Sequence, residues 1–132
     1  MKDDGERHIP ELYGYNLNHF RHMAAYNFAA KFVKNKFVLD DGCGAGYGSF
    51  YLRTQGAKEV LGMDISADAI NYCHKRYSYG QLGFSIMSST NLGFRDGCFD
   101  VVVSFQVIEH IWVKVIFCPV EHLYQIRNVR CF

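Results

Sequence analysis

The chain has 132 residues, with Lys and Arg totalling 14 against Asp and Glu totalling 13, for a formal charge of +1; this suits one domain with a real core, and the scattered cations give nucleic acid no one-signed surface. Cys43, Cys73, Cys98, Cys118 and Cys131 are irregularly spaced without a C-x-x-C pair, which argues against a disulfide framework or a structural zinc and for reduced thiols in a cytosol. Asp3, Asp4 and Glu6 stand where a signal peptide needs an apolar stretch, and no run approaches the roughly 20 apolar residues of a membrane span. A soluble, cytoplasmic protein without membrane contact is expected.

Residues 1–16, punctuated by Gly5, Pro10 and Gly14, read as an N-terminal arm. From Leu17 the apolar positions Leu17, Phe20, Ala24, Phe28 and Phe32 recur every three or four residues, which predicts an amphipathic helix over 17–34 with this stripe in the core. Asn35 breaks the pattern, and residues 36–40 form a first strand that stops in a turn where Gly42, Gly44 and Gly46 alternate. A short helix over 47–55 follows, with Gly56 placed to end it as a left-handed cap.

Residues 59–64 repeat the logic as a buried strand ending on a carboxylate, Asp64. Ser66 then caps a helix with Asp68 in its first turn, Ile70, Cys73 and Tyr77 on one face, and Lys75 and Arg76 at its end, where cations suit the helix dipole. Residues 82–87 make a third strand, 88–97 a loop, and the β-branched run 99–105 a strand buried on both faces. Alternating strands and helices predict a parallel sheet with right-handed crossovers. Beyond His110 the pattern is less regular: 111–117 suits a strand or a buried helix, Pro119 breaks it, and 121–129 suits a short helix.

The glycine turn selects its ligand by charge. A dinucleotide fingerprint G-x-G-x-x-G puts its third glycine at Tyr47 or at Ser49, depending on register, and neither fits. Asp40 and Asp41 at the mouth of the turn would repel a pyrophosphate. They suit the ammonium and sulfonium of S-adenosylmethionine, whose amino acid portion the glycines admit without Cβ collisions. Asp64, about twenty residues further on, is placed to accept from a ribose diol, and Ile65 beside it to lie against the adenine.

These residues resemble those of the class I, Rossmann-like S-adenosylmethionine-dependent methyltransferases. Val38-Leu39-Asp40-Asp41-Gly42-Cys43-Gly44-Ala45-Gly46 is similar to the family's first motif, Gly62-Met63-Asp64-Ile65-Ser66 to its second, and Phe99-Asp100-Val101-Val102-Val103-Ser104-Phe105 to its fourth strand. The start of the chain and the stretch from His19 to Tyr26 resemble the leader helix of a type 11 branch, which covers the cofactor. The resemblance implies a partial doubly wound α/β fold, sheet order 3-2-1-4 with helices on both faces. It gives Gly42, Gly44 and Gly46 to the methionine portion, Asp40 to its amino group, directly or through water, and Asp64 to the ribose. Ser88 takes the place of the family's adenine-binding Asp, and Phe105 lines the cofactor at the end of the fourth strand. Asp41 stands where the family is apolar.

Asp100 reads as structural and Cys43 as a small buried residue. Gln106-Val107-Ile108-Glu109-His110 follows the fourth strand at the edge where open α/β sheets place chemistry. Small-RNA 2′-O-methyltransferases carry metal ligands there in the pattern Glu-x-x-Glu-His, but Gln106 replaces the first Glu and no later His completes a set, so no metal is expected. His110 is the candidate general base for an acceptor hydroxyl. The expected organisation is an arm (1–16), a cofactor-binding core (17–110) and a C-terminal tail (111–132) unlike the family's usual continuation, which points to truncation, a shifted reading frame, or a minimal domain completed by a partner. On the first two readings the fourth strand is an exposed sheet edge, open to self-association. The expected activity is methyl transfer to a small-molecule or saccharide acceptor; a non-catalytic cofactor-binding module, a metal-assisted RNA 2′-O-methyltransferase and an NAD-dependent enzyme are the alternatives.

Overall fold

Three helices and five strands are built by the residues that the computed structural model describes, namely 17–77, 79–91, 93–94, 97–105 and 130–131. The expected arm over 1–16, the segment 106–110 with His110, and most of the C-terminal tail lie outside them. Among the described residues no helix is long and apolar enough to cross a membrane.

Helix α1 (Leu17–Ala29) runs into a 3-10 turn (Ala30–Phe32) and ends at Asn35, which takes a left-handed φ of 59°, a conformation Asn tolerates better than most residues. Strand β1 (Phe37–Asp41) and helix α2 (Tyr47–Thr54) flank the glycine turn, and Gly56 ends α2 at φ 100° as expected. Strand β2 (Glu59–Asp64) leads to helix α3 (Ala67–Arg76), capped by Ser66, whose hydroxyl accepts from the Ala69 N–H. Strands β3 (Leu82–Ile86) and β4 (Val101–Val103) complete the expected order.

The sheet runs β3-β2-β1-β4-β5 and is parallel throughout, with Val38, Leu39 and Asp40 of β1 opposite Val60, Leu61 and Gly62 on one side and the three valines of β4 on the other. Its fifth strand corrects one expectation. Arg130–Cys131 (β5) pairs with Val101 and Val102, so β4 is not an open edge along those residues, and the self-association expected from it loses its basis. Asp100 is structural as expected, its carboxylate accepting from the Phe37 N–H at 2.9 Å and thereby tying β4 to β1.

Residue alternation along the strands decides what each face meets. Val38, Val60, Val101 and Val103 turn to one face and pack against Tyr26, Ala29 and Val33 of the α1 segment and Leu52 of α2; Phe84 joins them opposite Gly62 and meets Ile70 and Cys73 of α3. Two right-handed crossovers in the same direction put α2 and α3 on this one face. Leu39, Met63 and Val102 turn to the other face, where Met87, Phe94 and Phe99 cover them. A helix on that second face falls outside the described residues. Each fully buried Val, Leu or Met contributes about 1.5–3 kcal/mol.

Helix α1 is turned differently from its sequence pattern. Leu17, Phe20 and Phe28, expected in the core, are 66%, 60% and 48% exposed, whereas Tyr26, Ala29 and Val33 are buried. Both sets have helical spacing. The set with the polar-tipped Tyr26 wins because Gly48 of α2 leaves space for its ring and a buried carboxylate meets its hydroxyl.

Candidate functional site

The turn between β1 and α2 is pinned to the sheet before it is offered to any ligand. The N–H groups of Gly42 and Cys43 both donate to the Met63 carbonyl at 2.9 Å, and that of Gly46 donates to the Cys43 carbonyl at 2.9 Å. Gly42, Gly44 and Gly46 have φ of 76°, 53° and 81°, a left-handed region that disfavours a side chain. A Cβ added at each position separates packing from access. At Gly46 it would lie 2.7 Å from the Cys73 sulfur of α3, and at Gly48 only 2.0 Å from the Tyr26 ring of α1, so those glycines serve close packing against neighbouring helices. At Gly44 it would meet nothing within 4 Å. Gly44 therefore faces open space.

Asp40 lies beneath this turn, on the α1–α2 face, fully buried. Its two oxygens are each 3.1 Å from the Tyr26 hydroxyl, and one also accepts from the Ser49 hydroxyl at 2.6 Å. Burial pushes its pKa up to about 7 against the lowering effect of the Ser49 and Tyr26 hydrogen bonds, and the neighbouring charges of Asp41 and Asp64 raise it further. The expected direct contact of Asp40 with a ligand's amino group is corrected by this burial: no atom outside the protein reaches the carboxylate in this conformation.

Asp41 points to the opposite face and is half-buried. Burial raises its pKa too, opposed by hydrogen bonds from Ser89 at 2.5 Å and Ser104 at 3.2 Å. These two hydroxyls, on the β3–β4 loop and just after β4, make a carboxylate tolerable where the family pattern is apolar. Neither Asp40 nor Asp41 meets a cationic side chain among the described residues.

Asp64, only 9% exposed, ends β2 at the rim of the turn. One oxygen accepts from the Gly44 N–H at 3.0 Å and the other from the Ser66 N–H at 2.9 Å, which holds the carboxylate beside the turn. Ile65 next to it is 73% exposed. The Met87 N–H donates to the Asp64 carbonyl at 3.0 Å and so brings the following Ser88 beside that rim. The Ser88 hydroxyl lies 2.8 Å from that of Thr90 and also accepts from the Thr90 N–H at 3.2 Å, closing its own turn. Cys43 is buried, and its thiol is pushed well above the usual range, first by its hydrogen bond with Cys73 and then by burial. It is an inert packing residue, while Cys73 donates to the Gly44 carbonyl at 3.3 Å and fastens α3 to the turn.

A family model described as "Methyltransferase domain" matches residues 38–126, which includes the whole of this turn and both strand ends. The chain belongs to the S-adenosylmethionine-dependent methyltransferases. It is 37% identical over 108 residues to a "Probable S-adenosylmethionine-dependent methyltransferase" of Mycolicibacterium smegmatis, covering 82% of this chain and 41% of that protein. A "Fatty-acid O-methyltransferase" of the same organism is 33% identical over 107 residues, covering 80% of this chain and 39% of that protein. The chain thus spans about two fifths of the length of these relatives. Among solved structures, the magnesium protoporphyrin IX methyltransferase of Synechocystis PCC 6803 with bound SAM superimposes with a TM-score of 0.62 at 24% identity, over 76% of this chain and 55% of that one, a likeness of fold.

S-adenosylmethionine is the cofactor of this methyltransferase domain, and the NAD-dependent alternative falls away. The residues present fit that group: Gly44 leaves room for it, the carboxylate of Asp64 stands at the rim, and Ile65 offers an uncovered apolar side chain. Gly42, Gly44, Gly46 and Asp64 are brought together, with Ile65 and Ser88 beside them. Phe105 is half-buried and packs edge-on against Tyr26, with ring centroids 5.2 Å apart. His110 lies outside the described residues.

Sequence reasoning passed over Tyr26 and Ser49, which hold Asp40, and Ser89 and Ser104, which hold Asp41. It also passed over His22, whose Nδ1 is hydrogen-bonded to the Tyr47 hydroxyl, a second tie between α1 and the turn. A sequence signal existed for Ser49 alone: it lies in the first turn of a helix that packs on the end of β1, where a small hydroxyl can reach a carboxylate.

Proposed function

We propose that residues 17–110 form a unit that binds S-adenosylmethionine across the C-terminal ends of β1 and β2 for methyl transfer to a small-molecule or saccharide acceptor. The observation that carries this reading is Gly44: unlike Gly46 and Gly48, it faces open space, and its N–H is held by Asp64, the carboxylate placed for a ribose diol. Gly42 and Gly46 shape the turn around the methionine portion, and the N-terminus of α2 behind it suits that portion's carboxylate. Ile65 covers one face of the adenine, and Ser88 offers its hydroxyl to the adenine edge. Phe105 acts from behind, through Tyr26.

When bound, the cofactor supplies a methyl group on a positively charged sulfur. The chain's part is to fix that group for in-line attack, since positioning supplies most of the acceleration in such a displacement. Asp40 and Asp41, without cationic partners among the described residues, favour a positive charge at this sheet edge and disfavour a pyrophosphate. His110, which follows β4 in sequence, is the candidate base where the acceptor is a hydroxyl.

Calorimetry with S-adenosylhomocysteine tests the cofactor reading. Saturable binding is expected, and a folded sample that takes up none at high micromolar ligand overturns it. Methyl transfer from labelled S-adenosylmethionine to a panel of small-molecule and saccharide acceptors tests the enzymatic half; binding without turnover across that panel favours a cofactor-holding module.

A further inference from the structure

Asp40 is an unusual group to find sealed beneath a site for a cation. A carboxylate with no exposed surface and no cationic partner among the described residues keeps its charge only if hydrogen-bond donors replace water. Here the two donors are hydroxyls, from Ser49 on α2 and Tyr26 on α1. Tyr26 is the one of the two that spans both carboxylate oxygens, and it comes from a separate element whose placement must be fixed for the contact to exist.

Its ring is fixed on three sides. Gly48 gives the ring its slot, Phe105 packs edge-on with centroids 5.2 Å apart, and Tyr47 does so at 6.3 Å. Burial first, and then the charge of Asp40, keep the Tyr26 hydroxyl protonated well beyond its ordinary range, so it remains a donor. We propose that Tyr26 is a positioning residue of the cofactor site, holding the buried Asp40 carboxylate as the anion beneath the glycine turn so that a positively charged ligand is taken up above it. The proposal rests on the cofactor reading above and assigns a role in it to a residue of α1.

The groups that share this field are few. Asp41 on β1 and Asp64 on β2 both oppose ionisation of Asp40. Cys43 in the turn and Tyr47 on α2 face Tyr26. His19 and His22 on α1 lie against the Tyr47 ring. Ser104 after β4 binds Asp41, and Cys73 on α3 binds the Gly44 carbonyl. Cation uptake above Asp40 therefore releases a proton wherever the unliganded carboxyl is protonated, and affinity rises with pH through neutrality before levelling off.

Tyr26→Phe keeps the ring and deletes the hydroxyl. Binding of S-adenosylhomocysteine, which retains the ammonium, is measured by calorimetry on either side of neutrality for the full chain and this variant. The expected result is a profile displaced to higher pH, with affinity several-fold weaker at neutrality and recovered in alkaline solution, while Asp40→Asn shows no such rise. A profile identical to the parent's, or a uniform loss at every pH, overturns the proposal. Should neither protein bind the ligand, the cofactor reading fails separately, and carbon NMR titration of the Asp40 carboxyl still decides the role of Tyr26: a midpoint unmoved by Tyr26→Phe overturns it. If Tyr26→Phe does not fold, 3-fluorotyrosine introduced at position 26 alone supplies a stronger donor, and the midpoint must then move down.

Discussion

The floor and the rim of the glycine turn are built from the same kind of residue put to opposite uses. Asp40 and Asp64 stand at or next to the end of a buried strand, on the same face of the sheet, and adjacent strands carry them. Asp40 lies under α1 and α2, where hydroxyl donors replace water. Asp64 lies one strand over, beside the turn, 9% exposed and held by the Gly44 and Ser66 N–H groups. The difference is set by what covers the strand end, and it teaches that a carboxylate after a strand is not by itself a ligand contact. On the proposed reading, one of these two tunes the site from below and the other meets the ligand.

Glycine substitutions break that comparison most severely. Gly48→Ala drives a methyl group to 2.0 Å from the Tyr26 ring, forcing α1 off the floor; we expect a loss of about 3 kcal/mol or failure to fold, read by chemical denaturation. Gly44→Ala, by contrast, meets no atom within 4 Å. Its cost to stability is confined to a left-handed alanine, about 1–2 kcal/mol, yet it blocks the ligand's approach. A Gly44→Ala protein that binds S-adenosylhomocysteine as the parent does would remove the rim from the site.

Asp64→Ala comes next. On the proposed ribose contact it deletes charge-assisted hydrogen bonds, and affinity for S-adenosylhomocysteine should weaken by about 1.5–3 kcal/mol per bond lost. Calorimetry returning the parent affinity would take Asp64 out of the site.

The floor answers to pH instead. Burial raises the pKa of folded Asp40 from its ordinary value to about 7, so between roughly pH 4 and pH 7 the folded protein binds more protons at this group than the unfolded chain does. Its contribution to stability is therefore fully present in acid and is lost as pH rises through that window. Thermal melts across the window should show the parent losing stability relative to Asp40→Asn as pH rises. Parallel curves would mean that Asp40 is ionised throughout.

Much of the fold was legible because strand ends and caps leave local signals. β2 ends on Asp64 as expected, Ser66 caps α3, and Gly56 ends α2 in the left-handed region. Alternation and crossover hand gave the parallel sheet, while its strand order came from the family resemblance. The rotation of α1 was not legible, since Leu17, Phe20 and Phe28 draw as good a stripe as the set that is buried. What chose between them is a long-range pairing of Tyr26 with Asp40, 14 residues apart in sequence. The hydroxyls that hold Asp41 come from residues 48 and 63 positions away, a separation at which no local pattern speaks. β5 escaped for the same reason: two residues, Arg130 and Cys131, are too short a strand to show a period.

Ile65 supplies the smallest and most selective test of the rim. An isoleucine that is 73% exposed makes little core contact, so Ile65→Ser should leave stability within about 0.5 kcal/mol of the parent. Against an adenine the same side chain would lose part of its remaining exposed apolar surface, worth about 1 kcal/mol on binding. The substitution should therefore weaken S-adenosylhomocysteine by several-fold while the melting curve stays in place. A fall in stability with unchanged affinity would mean that Ile65 packs against the chain itself, and the adenine would then have to lie elsewhere along the strand ends.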